Sequence, residues 1–485
     1  MKTAMRLFKY KNMNIKRLIL LIIGVVTLAA CHKDLGNYDI DMPIEPKLAN
    51  LDSVYTASVG DSLIIKPKIE GVDAANIELQ WKISVMEGND VLYTGPSLRI
   101  IFGLQAKRYS ARLTVFNKAN GMKYYHKFFI DGGTEFANGT TVLSVENGIT
   151  QFSFVKPDGS VQARLYRAMQ GKDLPANPTN LFLLRNTFTG GTLLGYWIIT
   201  KNGGIRLEPN TMQEDPKYPN TLKDNFFTSP DGLEVGSLIS HPQGVMMGVV
   251  NGKFYGGTTS TWDQAATYGM FGLPADGDYE LAPSFVMSFT QSATYFIGFD
   301  RNRKQFVRIN LYGAPVYFGT QYSVTTTNVF DPTNVGMDLV HLEQLNNADC
   351  FAYCKGTDGK IYELKFNVQF NGPFTFTPQH KRLFVRQELI NENTKWSGAK
   401  NGVIYIANGS KVYRYNPVNE ELRELATSFS GKKITMLKLT EDEETLMVGT
   451  EETVSFLNIS TGMNGVFIKK IEGIPGAPVD IAIRK

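Results

Sequence analysis

"DCFAYCKGTDGKIYELKF", residues 349–366, is the stretch whose reading decides the fold. Cys350 to Cys354 form an apolar run, Asp358-Gly359 supplies a tight polar turn, and Tyr362, Leu364 and Phe366 then alternate with Glu363 and Lys365. That is a hydrophobic strand, a turn and an alternating strand. In a strand, Cys350 and Cys354 share one face but stand about 13 Å apart, at ~3.3 Å per residue. A disulfide requires Cα atoms within about 7 Å, so the pair reads as two small buried side chains. No second CxxC and no neighbouring histidine completes a metal site.

The same logic recurs along the chain. "KPDGSVQARLY" turns around Gly159, "TKNGGIRLEP" around Gly203, "VNGKFYGG" around Gly252, "DRNRKQFVRI" around Arg303, "NGSKVYRYN" around Gly409 and "GTEETVSFLN" around Glu452. The centres are spaced by about fifty residues, the period of blades with about four strands each, and about 350 residues at that period give a β-propeller of about seven blades. No WD or kelch signature accompanies the repeat. Regular turns also suit a single large β-sandwich, which is the competing architecture. Trp197, in "LLGYWIIT", is expected in a blade core.

Upstream lies a different organisation. "YTASVGDSLIIKPKI" alternates from Tyr55, "IELQWKISV" carries Trp81 in mid-strand, and "AKRYSARLTVFNKANGMKYYHKFFI" reads as two strands around Asn120-Gly121. A mid-strand tryptophan and Tyr109 leading into a later strand are the packing residues of an immunoglobulin-like sandwich, here without paired cysteines. The reading is therefore all-β: an N-terminal Ig-like β-sandwich over 45–131, whose motifs also resemble a PKD-like module, and a C-terminal β-propeller over 134–485.

Residues 1–44 are set apart by charge. Lys2, Arg6, Lys9, Lys11, Lys16 and Arg17 precede the uncharged run Leu18 to Ala30, the layout of a secretory signal peptide over 1–30. The run is too short for a membrane-spanning helix, which needs about 20 apolar residues. Leu28-Ala29-Ala30-Cys31 resembles a bacterial lipobox, so Cys31 is expected to carry the lipid anchor and to begin the mature chain. Residues 31–44, with Asp34, Asp39 and Asp41, read as a flexible tether. In Bacteroidetes-type lipoproteins, a short acid-containing stretch at this place resembles a surface-export signal, which implies an outer-membrane protein facing the cell exterior.

Removing 1–30 turns the 50 bases and 46 acids of the full chain into 44 and 46, a net charge of about −2. No Lys/Arg cluster interleaved with aromatics stands out in the linear sequence, so nucleic acid is not an expected partner. With 43% hydrophobic residues the chain can fill more than one core.

Catalytic motifs are not found. His32, His126, His241, His341 and His380 are scattered, with no HExxH, and there is no G-x-S-x-G elbow, Walker loop or G-x-G-x-x-G after a strand. "PADGDYE", residues 274–280, lacks the further ligands of a calcium loop and reads as a polar turn. No metal and no cofactor other than the lipid on Cys31 is expected. A propeller can still unite distant carboxylates, so a glycan- or peptide-cleaving enzyme remains an alternative, as does a structural adhesin. Candidate ligand-binding residues are loop aromatics: Trp262 and Tyr268 in the long insertion 256–280, and Trp396 in "NENTKWSGAK".

"LDSVYTASVGDSLIIKP" (51–67), "LQWKIS" (79–84) and "YSARLTVFN" (109–117), together with the lipobox, resemble the PKD-like lipoproteins of Bacteroidetes nutrient-uptake loci. The resemblance implies a surface lipoprotein accompanying a SusC/SusD-like outer-membrane importer and other surface lipoproteins; it names no ligand, and the expected role of this chain is the non-enzymatic capture of a peptide or glycan oligomer. It carries no catalytic residue. In cell fractionation, Cys31→Ala is expected to release the protein into detergent-free washes; retention equal to the parent would place the anchor elsewhere.

Overall fold

The computed structural model describes residues 44–85, 89–189, 191–259, 265–288, 295–310, 317–318, 323–325, 328–370 and 374–484. Its N-terminal module is a two-layer sandwich. One layer is a five-stranded sheet in the order Val54–Ser58, Met122–Gly133, Arg108–Asn117, Ile77–Ile83 and Val91–Thr94, the first pair parallel and the others antiparallel. The other layer consists of two ladders, Ser62–Ile65 with Leu98–Ile101 and Lys47–Ala49 with Lys68–Glu70.

Period-two alternation decides which way each strand faces. In Ile77–Ile83, Leu79, Trp81 and Ile83 are buried, and they share one core with Leu63, Ile65, Leu98, Leu113, Phe128 and Ile130. Trp81 packs edge-on against Phe128, with ring centroids 6.2 Å apart, and its indole N–H donates to the Gly95 carbonyl at 3.0 Å. The Tyr109 hydroxyl donates to the Gln105 carbonyl at 3.0 Å. A tyrosine at a strand start bonding back to the preceding loop is the tyrosine corner of Ig-like sandwiches, and it takes the place of a disulfide in fixing that corner.

The remainder is a propeller of seven blades. The innermost strands are Ala477–Arg484, Pro178–Asn186, Val235–His241, Leu281–Met287, Asp338–Gln344, Lys395–Ala399 and Met436–Leu439, and each contacts the next around a closed ring. The first blade is composite. Its inner strand Ala477–Arg484 pairs with Gly139–Glu146, followed outward by Ile149–Val155 and Val161–Gln162. This shifts one element of the expected repeat. The turns at Gly203, Gly252, Arg303, Gly359, Gly409 and Glu452 join second and third strands, but Gly159 joins the third and fourth. The equivalent turn of the first blade is Asn147-Gly148, both residues at positive φ, because the C-terminus supplies that blade's first strand.

Among the described residues, the second and third blades have three strands each. The fifth has five, because Ser323–Val324 adds in parallel to the outer strand Thr375–Leu383. Blades bury both faces against their neighbours. Cys350 and Cys354 are free thiols, fully buried among Phe299, Phe306, Leu364 and Phe366. Burial pushes both thiols upward, Cys354 to about 12, which keeps them protonated. Trp197 is 1% exposed in the core between the second and third blades.

Between the fifth and sixth blades an apolar core of Phe351, Phe384, Ile404 and Ile406 contains a polar row. His341, Tyr353, Glu363 and Arg382 stand opposite one another on four successive strands. The Glu363 carboxylate is fully buried, accepts from Arg382 Nε at 3.0 Å and the Tyr353 hydroxyl at 3.2 Å, forms an ion pair with Arg382 Nη2 at 2.7 Å, and has His380 Nε2 at 2.8 Å. Burial first, and the adjacent Glu363 charge second, push the Tyr353 phenol well above its usual range. Glu363→Ala leaves Arg382 without this carboxylate, and the expected cost is about 3–5 kcal/mol, measured by denaturant unfolding. A loss below about 1 kcal/mol would show that the blades pack without the row.

Candidate functional site

Among the described residues the second blade has no fourth strand, and there the chain makes an excursion from Glu208 to Tyr218 before an isolated bridge, Thr221 to Ile205, returns it to the sheet. This excursion and the sandwich loops at Val59-Gly60 and Gly103–Gln105 enclose a cleft of about 530 Å³ between the two modules. The junction is bonded directly: the Gln105 side-chain amide donates to the Leu193 carbonyl at 3.1 Å.

The excursion is held from beneath. The Glu208 carboxylate accepts from the backbone N–H groups of Asn210 and Thr211 at 2.8 and 2.7 Å. Asn210 is in turn fixed by the Thr134 hydroxyl on its carbonyl and by Arg484 Nη2 on its side-chain oxygen at 2.9 Å. Glu214 accepts from the Tyr166 hydroxyl at 2.6 Å and pairs with Lys172 at 2.7 Å. Although burial would raise its carboxyl, these two partners hold it below the usual range.

Tyr218 lies on the cleft wall over the Arg206 guanidinium, 3.9 Å from its ring centroid. Arg206 is only 4% exposed. It donates to the Leu194 carbonyl at 2.7 Å, while its Nε has no hydrogen-bond partner. Burial lowers its pKa, and the tyrosine ring compensates part of the lost hydration through cation–π attraction. Gly195 makes the arrangement possible, since a Cβ there would stand 2.9 Å from Arg206 Nε. The result is a pocket with apolar walls from Val59, Leu104, Leu194 and Pro216, and with carboxylate and amide groups around one braced aromatic ring. Such a lining suits the binding of a segment that is partly apolar and partly hydrogen-bonding. A second groove, of about 390 Å³ and more polar, lies between the sixth and seventh blades around Tyr405, Arg414 and Glu443.

Of the residues singled out from the sequence, Tyr268 and Trp396 lie elsewhere. Cys31 and Trp262 are outside the described residues. The Tyr268 hydroxyl donates to the Gln243 carbonyl at 2.5 Å and accepts from Asn186 Nδ2 at 3.3 Å, and its ring packs against the core between the second and third blades. Trp396 stacks on His341, centroids 4.4 Å apart and planes within 9°, and lies 4.6 Å from Tyr353. Tyr268 and Trp396 thus belong to separate clusters, and neither lines the cleft. Tyr218, Arg206, Glu208 and Gln105 were not legible as a site. The available signal was "EPNTMQEDPKYPN", residues 208–220, a Pro- and Asn-rich stretch without strand alternation, longer than an ordinary blade connection. Among the described residues, no group of three or more His, Cys, Asp or Glu side chains could hold a metal ion.

Residues 31–178 match the PKD-like family. The match begins at Cys31, covers the sandwich and continues through the N-terminal strands of the first blade. No curated protein matches the chain. Among solved structures, a quinonprotein alcohol dehydrogenase-like protein from Bacteroides thetaiotaomicron aligns over 91% of this chain and 99% of its own, at 13% identity and a TM-score of 0.39. An auxiliary nutrient binding protein from the same organism aligns over 92% and 99%, at 9% identity and a TM-score of 0.26. Likeness at this level assigns no function to the chain.

Proposed function

We propose that the protein is a surface-exposed lipoprotein, anchored in the outer membrane through Cys31, that acts as a non-enzymatic accessory binding subunit of a SusC/SusD-like uptake system for peptide or glycan oligomers. The observation that carries this reading is the PKD-like match starting at the cysteine of Leu-Ala-Ala-Cys, the residue at which the mature chain is expected to begin. The bonded cleft supports it, because a ligand seated there touches both modules at once. A lipid anchor keeps the cleft where solutes arrive at the cell surface.

A pull-down through a tag on the C-terminus of the anchored protein is expected to recover a SusC/SusD-like transporter complex. With purified protein, oligomers extracted from the growth medium are expected to bind without being cleaved, and Tyr218→Ala to weaken capture by about 1 to 3 kcal/mol, the scale of losing an aromatic contact. Trp262→Ala, tested in parallel, reports whether the 256–280 insertion contributes to the same ligand. Recovery of no transporter component would contradict the assignment, and turnover of the oligomers would favour the enzyme.

A further inference from the structure

The outward face of the five-stranded sheet carries a charge arrangement that strand pairing by itself disfavours. Register places Lys82, Arg112 and Lys127 opposite one another on three adjacent strands. Like charges facing across a ladder destabilise it, so such a row calls for an anionic counterpart. The carboxylates nearby are already engaged: Asp90 with Lys82, Asp131 with Arg108 and Glu78 with Lys118. Arg112 lies 4.8 Å over the Tyr125 ring and Lys123 lies 5.6 Å over Phe116. Among the described residues, Arg112, Lys123 and Lys127 form no ion pair with a carboxylate. Tyr125, 58% exposed, stands between Lys123 and Lys127, and exposed Phe129 at 43% and Leu92 at 70% flank the row.

We propose that this face docks on an anionic membrane surface, with Arg112, Lys123 and Lys127 on lipid phosphates and Tyr125, Phe129 and Leu92 in the headgroup layer. Basic residues are drawn to a surface of anionic lipids, and aromatic side chains with one polar end favour the interface. Chain length supplies the second support. Segment 31–43 spans at most about 45 Å when fully extended, so a lipid on Cys31 keeps the sandwich close to the bilayer. A basic patch beside a lipid is the two-signal arrangement that makes peripheral anchoring stable. Docking would fix the orientation of the sandwich, which the tether alone leaves free. The choice of a membrane as the partner rests on the lipidation of Cys31, but the docking itself can be measured without the lipid.

The test uses the mature full-length chain with Cys31→Ser, so that no acyl chain contributes. Sedimentation with vesicles of phosphatidylcholine and phosphatidylglycerol is expected at low salt, weakening as ionic strength rises, and not with vesicles of phosphatidylcholine alone. Arg112→Glu combined with Lys127→Glu is expected to lower partitioning roughly 100-fold or more. Should that variant melt lower than the parent, Arg112→Gln with Lys127→Gln serves instead, with a smaller loss in the same direction. No sedimentation with the anionic vesicles, equal sedimentation with both kinds, or a variant that binds like the parent would overturn the proposal. Failure of the Cys31→Ala fractionation with success here would leave the docking face intact and displace only the anchor.

Discussion

The pairing of Ala477–Arg484 with Gly139–Glu146 is the constraint on which the rest of the structure depends. Without it the ring is an open stack with two unprotected sheet edges. The closing strand also carries the charge that locks the junction. Asp480 is 8% exposed, and its carboxylate accepts from the Leu181 N–H and from Lys438 Nζ, each at 2.7 Å. One side chain thus ties the innermost strands of the seventh, first and second blades. Four residues later Arg484 reaches Asn210, so ring closure and the floor of the inter-module cleft share a single strand.

The sandwich takes its place from the same end of the ring. Its long strand Met122–Gly133 is separated from the first blade strand, Gly139–Glu146, by only a short turn. Thr134 in that turn bonds the Glu208–Tyr218 excursion, and Gln105 bonds Leu193 across the junction. The cleft is therefore built from an absence, the fourth strand that the second blade lacks among the described residues, and from a module placed beside it. In the proposed reading, the sandwich presents one side to the propeller and its charged sheet face to the membrane, so the same small domain serves both as anchor platform and as one wall of the binding cleft.

Much of this architecture was legible because its signals are local. Alternation in Ile77–Ile83 predicts the buried Trp81, and the polar turns at Gly203 through Glu452 mark the second-to-third strand connection of the second to seventh blades. What was not legible depends on distant partners. The composite first blade joins strands more than three hundred residues apart, so Gly159 entered the repeat in place of Gly148. Lys82, Arg112 and Lys127 look unremarkable in the linear sequence, and only the register assembles them into a row. Glu363 sits in an alternating strand like any half-exposed strand carboxylate, yet blades bury both faces, and its charge is met by Arg382 from the next strand. For Tyr268, loop placement could not reveal the hydroxyl bond to Gln243; Trp396, expected as a loop aromatic, lies in the innermost strand Lys395–Ala399 and stacks there on His341.

Hydrogen exchange at the amides of Gly139–Glu146, compared between the full chain and a chain ending at Ile474, tests the closed ring most directly. The account predicts that these amides are among the slowest to exchange in the full chain and lose that protection when Ala477–Arg484 is absent, with loss spreading to the seventh and second blades. Unchanged protection of Gly139–Glu146 in the shortened chain would contradict closure by the C-terminal strand.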